Sequence, residues 1–127
     1  MLKRIKALLL GNLFLIAIGI TLFIGYLSLM KMPQLKIEVK NLDKGYHLIA
    51  YFTLAVSWLC AFYKKPKKTY LIVTLCIVYG ILIEILQDKL TVYRTGDYRD
   101  IIANSIGVLL GLFLFNLIFK KIIIKWQ

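Results

Sequence analysis

The chain has 127 residues, 61% of them hydrophobic, and a net charge of +11 from 17 Lys and Arg against 6 Asp and Glu. A soluble domain is usually about 45–50% apolar, so this excess argues against an ordinary water-soluble core and puts membrane spans first. The basic surplus lacks the interleaved aromatics of a nucleic-acid surface, which leaves topology signals and attraction to anionic lipid.

The chain opens with MLKRIK and continues into an apolar run over 7–29, in which Asn12 is the one strongly polar residue. A charged start before an apolar stretch resembles a signal peptide. This run is long enough to cross a bilayer and ends without an A-x-A-like site, so it predicts an uncleaved first helix. In KMPQLKIEVKNL, Pro33 with Lys31, Lys36, Glu38 and Lys40 predicts a loop. Within it LKIEV alternates apolar and polar, as a short interfacial strand would.

A second span is predicted over 46–63, and KKPKK then breaks the chain. A third follows over 70–86, DKLTVYRTGDYRD forms a second polar loop, and a fourth span covers 101–119. In lipid, backbone polar groups need internal partners, and four segments cannot close a barrel, so the spans are helices. The expected architecture is an all-α membrane protein: one domain over 1–127, four transmembrane helices in an up-down bundle. Ser105, Gly107 and Gly111 are small residues of the fourth span that permit close packing, with Gly107-x-x-x-Gly111 a small-xxx-small pair. Cys60 and Cys76 fall within apolar runs without motif spacing and read as buried small hydrophobes.

Direction follows from the basic residues. Ten of them (Lys3, Arg4, Lys6, Lys64, Lys65, Lys67, Lys68, Lys120, Lys121, Lys125) fall on one side, and seven (Lys31, Lys36, Lys40, Lys44, Lys89, Arg94, Arg99) on the other. The richer side carries both termini and KKPKK, which places them in the cytoplasm. All six acidic residues belong to the outer half.

The polar residues of the spans share helix faces. Asp43, His47 and Tyr51 are spaced i, i+4, i+8; Glu84, Gln87 and Asp88 are i, i+3, i+4; Asp100 and Asn104 are i, i+4, with Gly107 continuing the face. Up-down topology brings all three sets to the outer end of the bundle. Glu84 lies 14 residues past Tyr70, roughly 21 Å at 1.5 Å per residue. That is roughly 9 Å inside a core about 30 Å thick. A carboxylate at that depth faces the bundle interior, where Arg94, His47 and Asn104 are the available partners. Intramembrane hydrogen bonds average only about 0.6 kcal/mol, so a structural knot is a poor reason for so rich a cluster.

The ordered set Asp43-Lys44-x-x-His47-x-x-x-Tyr51, Gly80-x-x-x-Glu84-x-x-Gln87 and Arg94-x5-Asp100-x3-Asn104-x2-Gly107-x3-Gly111 resembles the VanZ-like family. The matching positions run from 43 to 111. Val92-Tyr93 stands before Arg94, where the family often has Pro-Gly. The family is named for a membrane protein linked to teicoplanin resistance. The resemblance implies a bacterial cytoplasmic (inner) membrane location, a glycopeptide-resistance-type role and, as ligand, a membrane lipid or polyprenyl-linked cell-wall precursor.

Two readings of the site follow. In headgroup recognition, Arg94, Lys44 and Arg99 hold a phosphate, while Asp100, Asn104, Gln87 and Glu84 bind hydroxyls or amides, with Asp43 and Tyr51 on the same wall. In an intramembrane enzyme, His47, Glu84 and Asp100 are the candidate catalytic groups. A metal on those three residues is a minor variant of the second reading, and no cofactor or resident metal is assigned. HExxH, G-x-S-x-G and a Gly-rich phosphate loop are absent from the sequence. Few polar residues lie in the inner halves, which disfavours an ion pathway. A homo-oligomer, or a purely structural subunit of another membrane protein, is the remaining class.

Overall fold

The computed structural model describes residues 1–30, 42–90 and 98–126. The LKIEV strand expectation and Arg94 lie outside the described residues, as does the side chain of Asp43. Every described element is helical: α1 (Leu2–Gly11), α2 (Leu13–Leu29), α3 (Leu42–Ala61), α4 (Thr69–Leu90), α5 (Tyr98–Leu114) and α6 (Lys120–Trp126). A 3-10 turn, Pro66–Lys68, leads into α4, and a π-helical turn, Phe115–Phe119, joins α5 to α6. The helices extend further into the second polar loop than the sequence predicts, since Asp88 ends within α4 and Asp100 within α5.

The predicted first span is not one straight helix. It bends by 62° between α1 and α2. Asn12 causes the break: its Nδ2 donates to the Leu8 carbonyl at 2.8 Å, taking the acceptor that its backbone N–H would use in a continuous helix. The displaced N–H goes to Leu9 instead, at 3.2 Å. A side chain inserted into the ladder is a recognised source of helix kinks.

Pro66–Leu90 and Tyr98–Lys125 are long and apolar enough to cross a membrane, and α1 with α2 makes a third candidate if the bent pair counts as one span. Lys44 and His47 in the first turns of α3 lower its apolar character. The outward faces are strongly apolar: Leu22, Phe23, Leu75, Leu82, Leu109 and Phe113 are each more than half exposed. A surface of this kind belongs in lipid, and the chain is a membrane protein.

Helices α2 to α5 alternate in direction. Phe14, near the start of α2, meets Trp58, near the end of α3, edge-on at 5.5 Å. The ends of α2 and α4 meet where Gln87 Nε2 donates to the Ser28 carbonyl at 2.7 Å. Helix α3 is central, burying Tyr51, Leu54, Ala55 and Leu59 against Ile24, Cys76, Val108 and Phe115. Cys60 and Cys76 are free and buried. The most extensive contact is between α3 and α5. It depends on glycine: a Cβ at Gly107 would collide with the Leu48 carbonyl oxygen, and one at Gly111 would lie 3.1 Å from the Phe52 carbonyl oxygen. Ser105 does not share that face: it lies two residues before Gly107, nearly opposite on the helix, and turns its hydroxyl to the Ile101 carbonyl of its own helix at 2.9 Å.

Thr21 ties α2 to its two neighbours. Its hydroxyl accepts from Trp58 Nε1 at 2.8 Å, and its carbonyl accepts from the Tyr79 hydroxyl at 2.6 Å. Thr21→Val keeps the shape and removes the first bond. The expected loss is about 0.6 kcal/mol, with an upper bound of about 1.7. A small downward shift of the thermal midpoint in detergent would show it, with Trp58 fluorescence reporting the lost indole partner.

Candidate functional site

Four helix ends build one polar cluster. The start of α3 supplies Lys44 and His47, the end of α4 supplies Glu84 and Gln87, the start of α5 supplies Asp100 and Asn104, and the end of α2 contributes Ser28. Glu84, Gln87, Asp100 and Asn104 are all buried, between 1% and 8% exposed. Buried polar groups at this density are costly unless paired.

Asp100 is the centre. Its Oδ1 lies 2.5 Å from Lys44 Nζ, and its Oδ2 lies 3.6 Å from His47 Nε2. On the other side of the imidazole, His47 Nδ1 meets Asn104 Oδ1 at 3.0 Å. An amide oxygen only accepts, so Nδ1 carries the proton and donates. In the neutral ring, Nε2 therefore holds a lone pair toward Asp100. Glu84 completes the group: one ligating atom each from His47, Glu84 and Asp100 lie within 4.8 Å of one another.

Beneath this group sits Tyr51. Its hydroxyl and Asn104 Nδ2 are buried, and neither has a hydrogen-bond partner among the described residues. Both side chains lean on Gly80, where a Cβ would stand 3.1 Å from Tyr51 Cε1 and 3.2 Å from Asn104 Nδ2. Gly80 lies one turn before Glu84, so its bare backbone admits the two side chains to the α4 face that carries the carboxylate. An alanine there would push them away.

The structure thus brings together Lys44, His47, Tyr51, Glu84, Asp100 and Asn104. Gln87 is at the same end but is engaged with Ser28, so its amide nitrogen fastens α2 to the cluster. Asp88 and Arg99, read from the sequence as neighbours of the site, are exposed. Sequence reasoning passed over Ser28 and gave Gly80 no role. The spacing Gly80-x-x-x-Glu84 was a signal for the second; nothing local marked Ser28, which acts through its backbone carbonyl.

Toward the same end, α2 and α4 border a shallow, open apolar cleft of about 430 Å³, lined by Leu22, Gly25, Tyr26, Leu29, Met30 and Tyr79. Its upper lining, Leu29 and Met30, follows directly on Ser28 in the chain.

Three comparisons bear on identity. The sequence profile of the VanZ/LLP1 family matches residues 12–120. An uncharacterized protein of Schizosaccharomyces pombe is 32% identical over 111 residues, which are 86% of this chain and 63% of that protein. The chain thus spans less than two thirds of the length of this relative. No solved structure matches. The profile takes in α2 to α5 and every described residue of the cluster, and on that match the chain belongs to the VanZ/LLP1 family.

Proposed function

We propose that this protein recognises a phosphate-bearing lipid headgroup at the outer end of its bundle. The full reading has four spans in an up-down bundle, both termini in the cytoplasm, and the polar cluster at the outer leaflet of a bacterial inner membrane. Lys44 and Arg94 meet the phosphate, and the buried amide and hydroxyl of Asn104 and Tyr51 serve the headgroup's oxygens. One observation carries this: Asn104 Nδ2 and the Tyr51 hydroxyl are buried donors without partners among the described residues. Each such group costs about 1–3 kcal/mol. A knot whose only task was to lock helices would satisfy them; a site that accepts a polar ligand leaves donors for it.

The open apolar cleft toward the same end gives the lipid chain a place to lie. A relative in a yeast favours a chemistry common to bacteria and eukaryotes. Phosphate on an isoprenoid or glycerolipid chain meets that condition, and a glycopeptide-resistance role would be one use of it. A second reading, in which the site also breaks a bond, draws on His47, whose Nδ1 contact with Asn104 leaves Nε2 as a base beside Asp100 and Glu84.

Mass spectrometry of lipids retained by the purified protein tests the proposal. A specific anionic lipid is expected in the wild type, reduced several-fold in Lys44→Ala and Arg94→Ala. Leu22→Trp, which fills the cleft and leaves the cluster alone, is expected to reduce retention as well. Equal retention of bulk phospholipid in all four proteins would return the cluster to a structural role. Release of a headgroup fragment from the retained lipid by wild type, lost in His47→Ala, would select the enzymatic reading.

A further inference from the structure

We infer that His47, Glu84 and Asp100 form a binding site for a divalent transition-metal ion of the zinc and manganese class. The inference uses residues of the headgroup site but does not rest on lipid binding.

The spacing comes first. His47 Nε2 and Asp100 Oδ2 are 3.6 Å apart. That is beyond the roughly 2.7–3.2 Å of an N–H···O hydrogen bond. Two ligands held on one zinc ion by bonds of about 2.1 Å stand about 3.4 Å apart at a tetrahedral angle. Glu84 offers a third oxygen, with all three ligating atoms inside 4.8 Å. The gap between Nε2 and Oδ2 therefore has the width of a shared ion.

Proton placement is the second, independent observation. A metal-bound histidine nearly always donates its other ring N–H to an acceptor, which fixes the tautomer and turns the lone pair to the ion. Asn104 Oδ1 does this for His47 at 3.0 Å. Asn104 is itself 1% exposed, held between the imidazole and Gly80, so the acceptor is locked in place. Its Nδ2, without a partner among the described residues, is a buried donor on the same side of the bundle.

The donor set selects the class of ion. One imidazole with two carboxylates suits zinc, manganese or ferrous iron better than magnesium or calcium, which take oxygen, or copper(I), which takes sulfur. Three protein ligands leave a fourth position open to water or to a phosphate oxygen. Lys44 holds the other oxygen of Asp100, and its ammonium is a like charge beside the ion. Removing that charge strengthens metal binding.

The chain contains a single histidine, so any imidazole signature comes from His47. The full chain, carrying no histidine tag, is purified in detergent without added lipid, stripped with chelator and titrated with Co²⁺ and Zn²⁺. One equivalent of Co²⁺ with visible d–d bands is expected, together with a Zn²⁺-induced shift of the Nε2 resonance of the one imidazole. Binding is expected to be lost in His47→Gln and weakened about 10–100-fold in Asn104→Ala. Lys44→Met is expected to tighten it several-fold. No stoichiometric binding by wild type, or unchanged affinity in His47→Gln, overturns the site. Should His47→Gln fail to fold, Lys44→Met decides: tighter binding supports the site, and unchanged or weaker binding overturns it. Lipid retention measured on the chelator-stripped protein keeps this result separate from the headgroup reading.

Discussion

Gly107→Leu is expected to dismantle the bundle. A Cβ at Gly107 meets the Leu48 carbonyl oxygen, with the Leu48 carbonyl carbon and the Phe52 nitrogen each at 3.1 Å. All three are backbone atoms of α3, so no rotamer change relieves the clash and the two helices must separate. The α3–α5 contact also carries the polar cluster, because Lys44 and His47 reach Asp100 and Asn104 across it. Overpacking a tight site costs about 1–3 kcal/mol and occasionally more; an unyielding backbone puts Gly107→Leu at about 3 kcal/mol or above. Better helix propensity returns at most about 1 kcal/mol. Gly19→Leu is the control, with nothing within 4 Å of its Cβ position, and is expected to stay within about 0.5 kcal/mol of wild type. The fraction of monodisperse protein after heating in detergent would separate the two. Similar survival for both would mean that α3 and α5 do not pack through Gly107.

Asp100→Ala is the variant expected to hit stability and function together. It removes the carboxylate that bonds Lys44 and faces His47. Breaking a buried ion pair from one side costs about 3–5 kcal/mol. Here Lys44 and Asp100 keep 22% and 11% of their side chains exposed, so solvent screening lowers the expected loss to about 1–3 kcal/mol. The double variant Lys44→Met with Asp100→Leu replaces the pair with apolar groups. It is expected to regain most of the stability, as buried pairs replaced whole often do, and none of the anionic-lipid retention. A cycle of the two single variants and the double measures the coupling. Additive effects would show that the two residues act separately and would remove the pair from the site.

The polar faces show how far local spacing reaches. Asp100 and Asn104 were legible as one face of one helix, as were Glu84 and Gln87, because the 3.6-residue repeat depends on the chain alone. Spacing did not say which carboxylate takes Lys44. Nothing in the spacing tied Lys44 to Asp100, 56 positions away, which it bonds across the α3–α5 contact. Gln87 shares a face with Glu84, and the spacing did not show that its Nε2 reaches the Ser28 carbonyl, because α2 ends beside it. Asn12 was visible as the polar residue of the first run. Its effect was missed because an exposed asparagine is tolerated in a helix until its amide takes the Leu8 carbonyl.

By itself the sequence determined the all-helical membrane character, the approximate limits of α2 to α5, the polar faces and the family. Each of these depends on apolar run length or on spacing along one chain segment. Only the tertiary structure decided the 62° bend at Asn12, the partners of Lys44 and His47, and the service of Gly80 as a seat for Tyr51 and Asn104. Those outcomes depend on how far one helix rotates and slides against the next. That is settled by close approach at Gly107 and Gly111 and by hydrogen bonds between distant residues, terms that no single stretch of sequence contains.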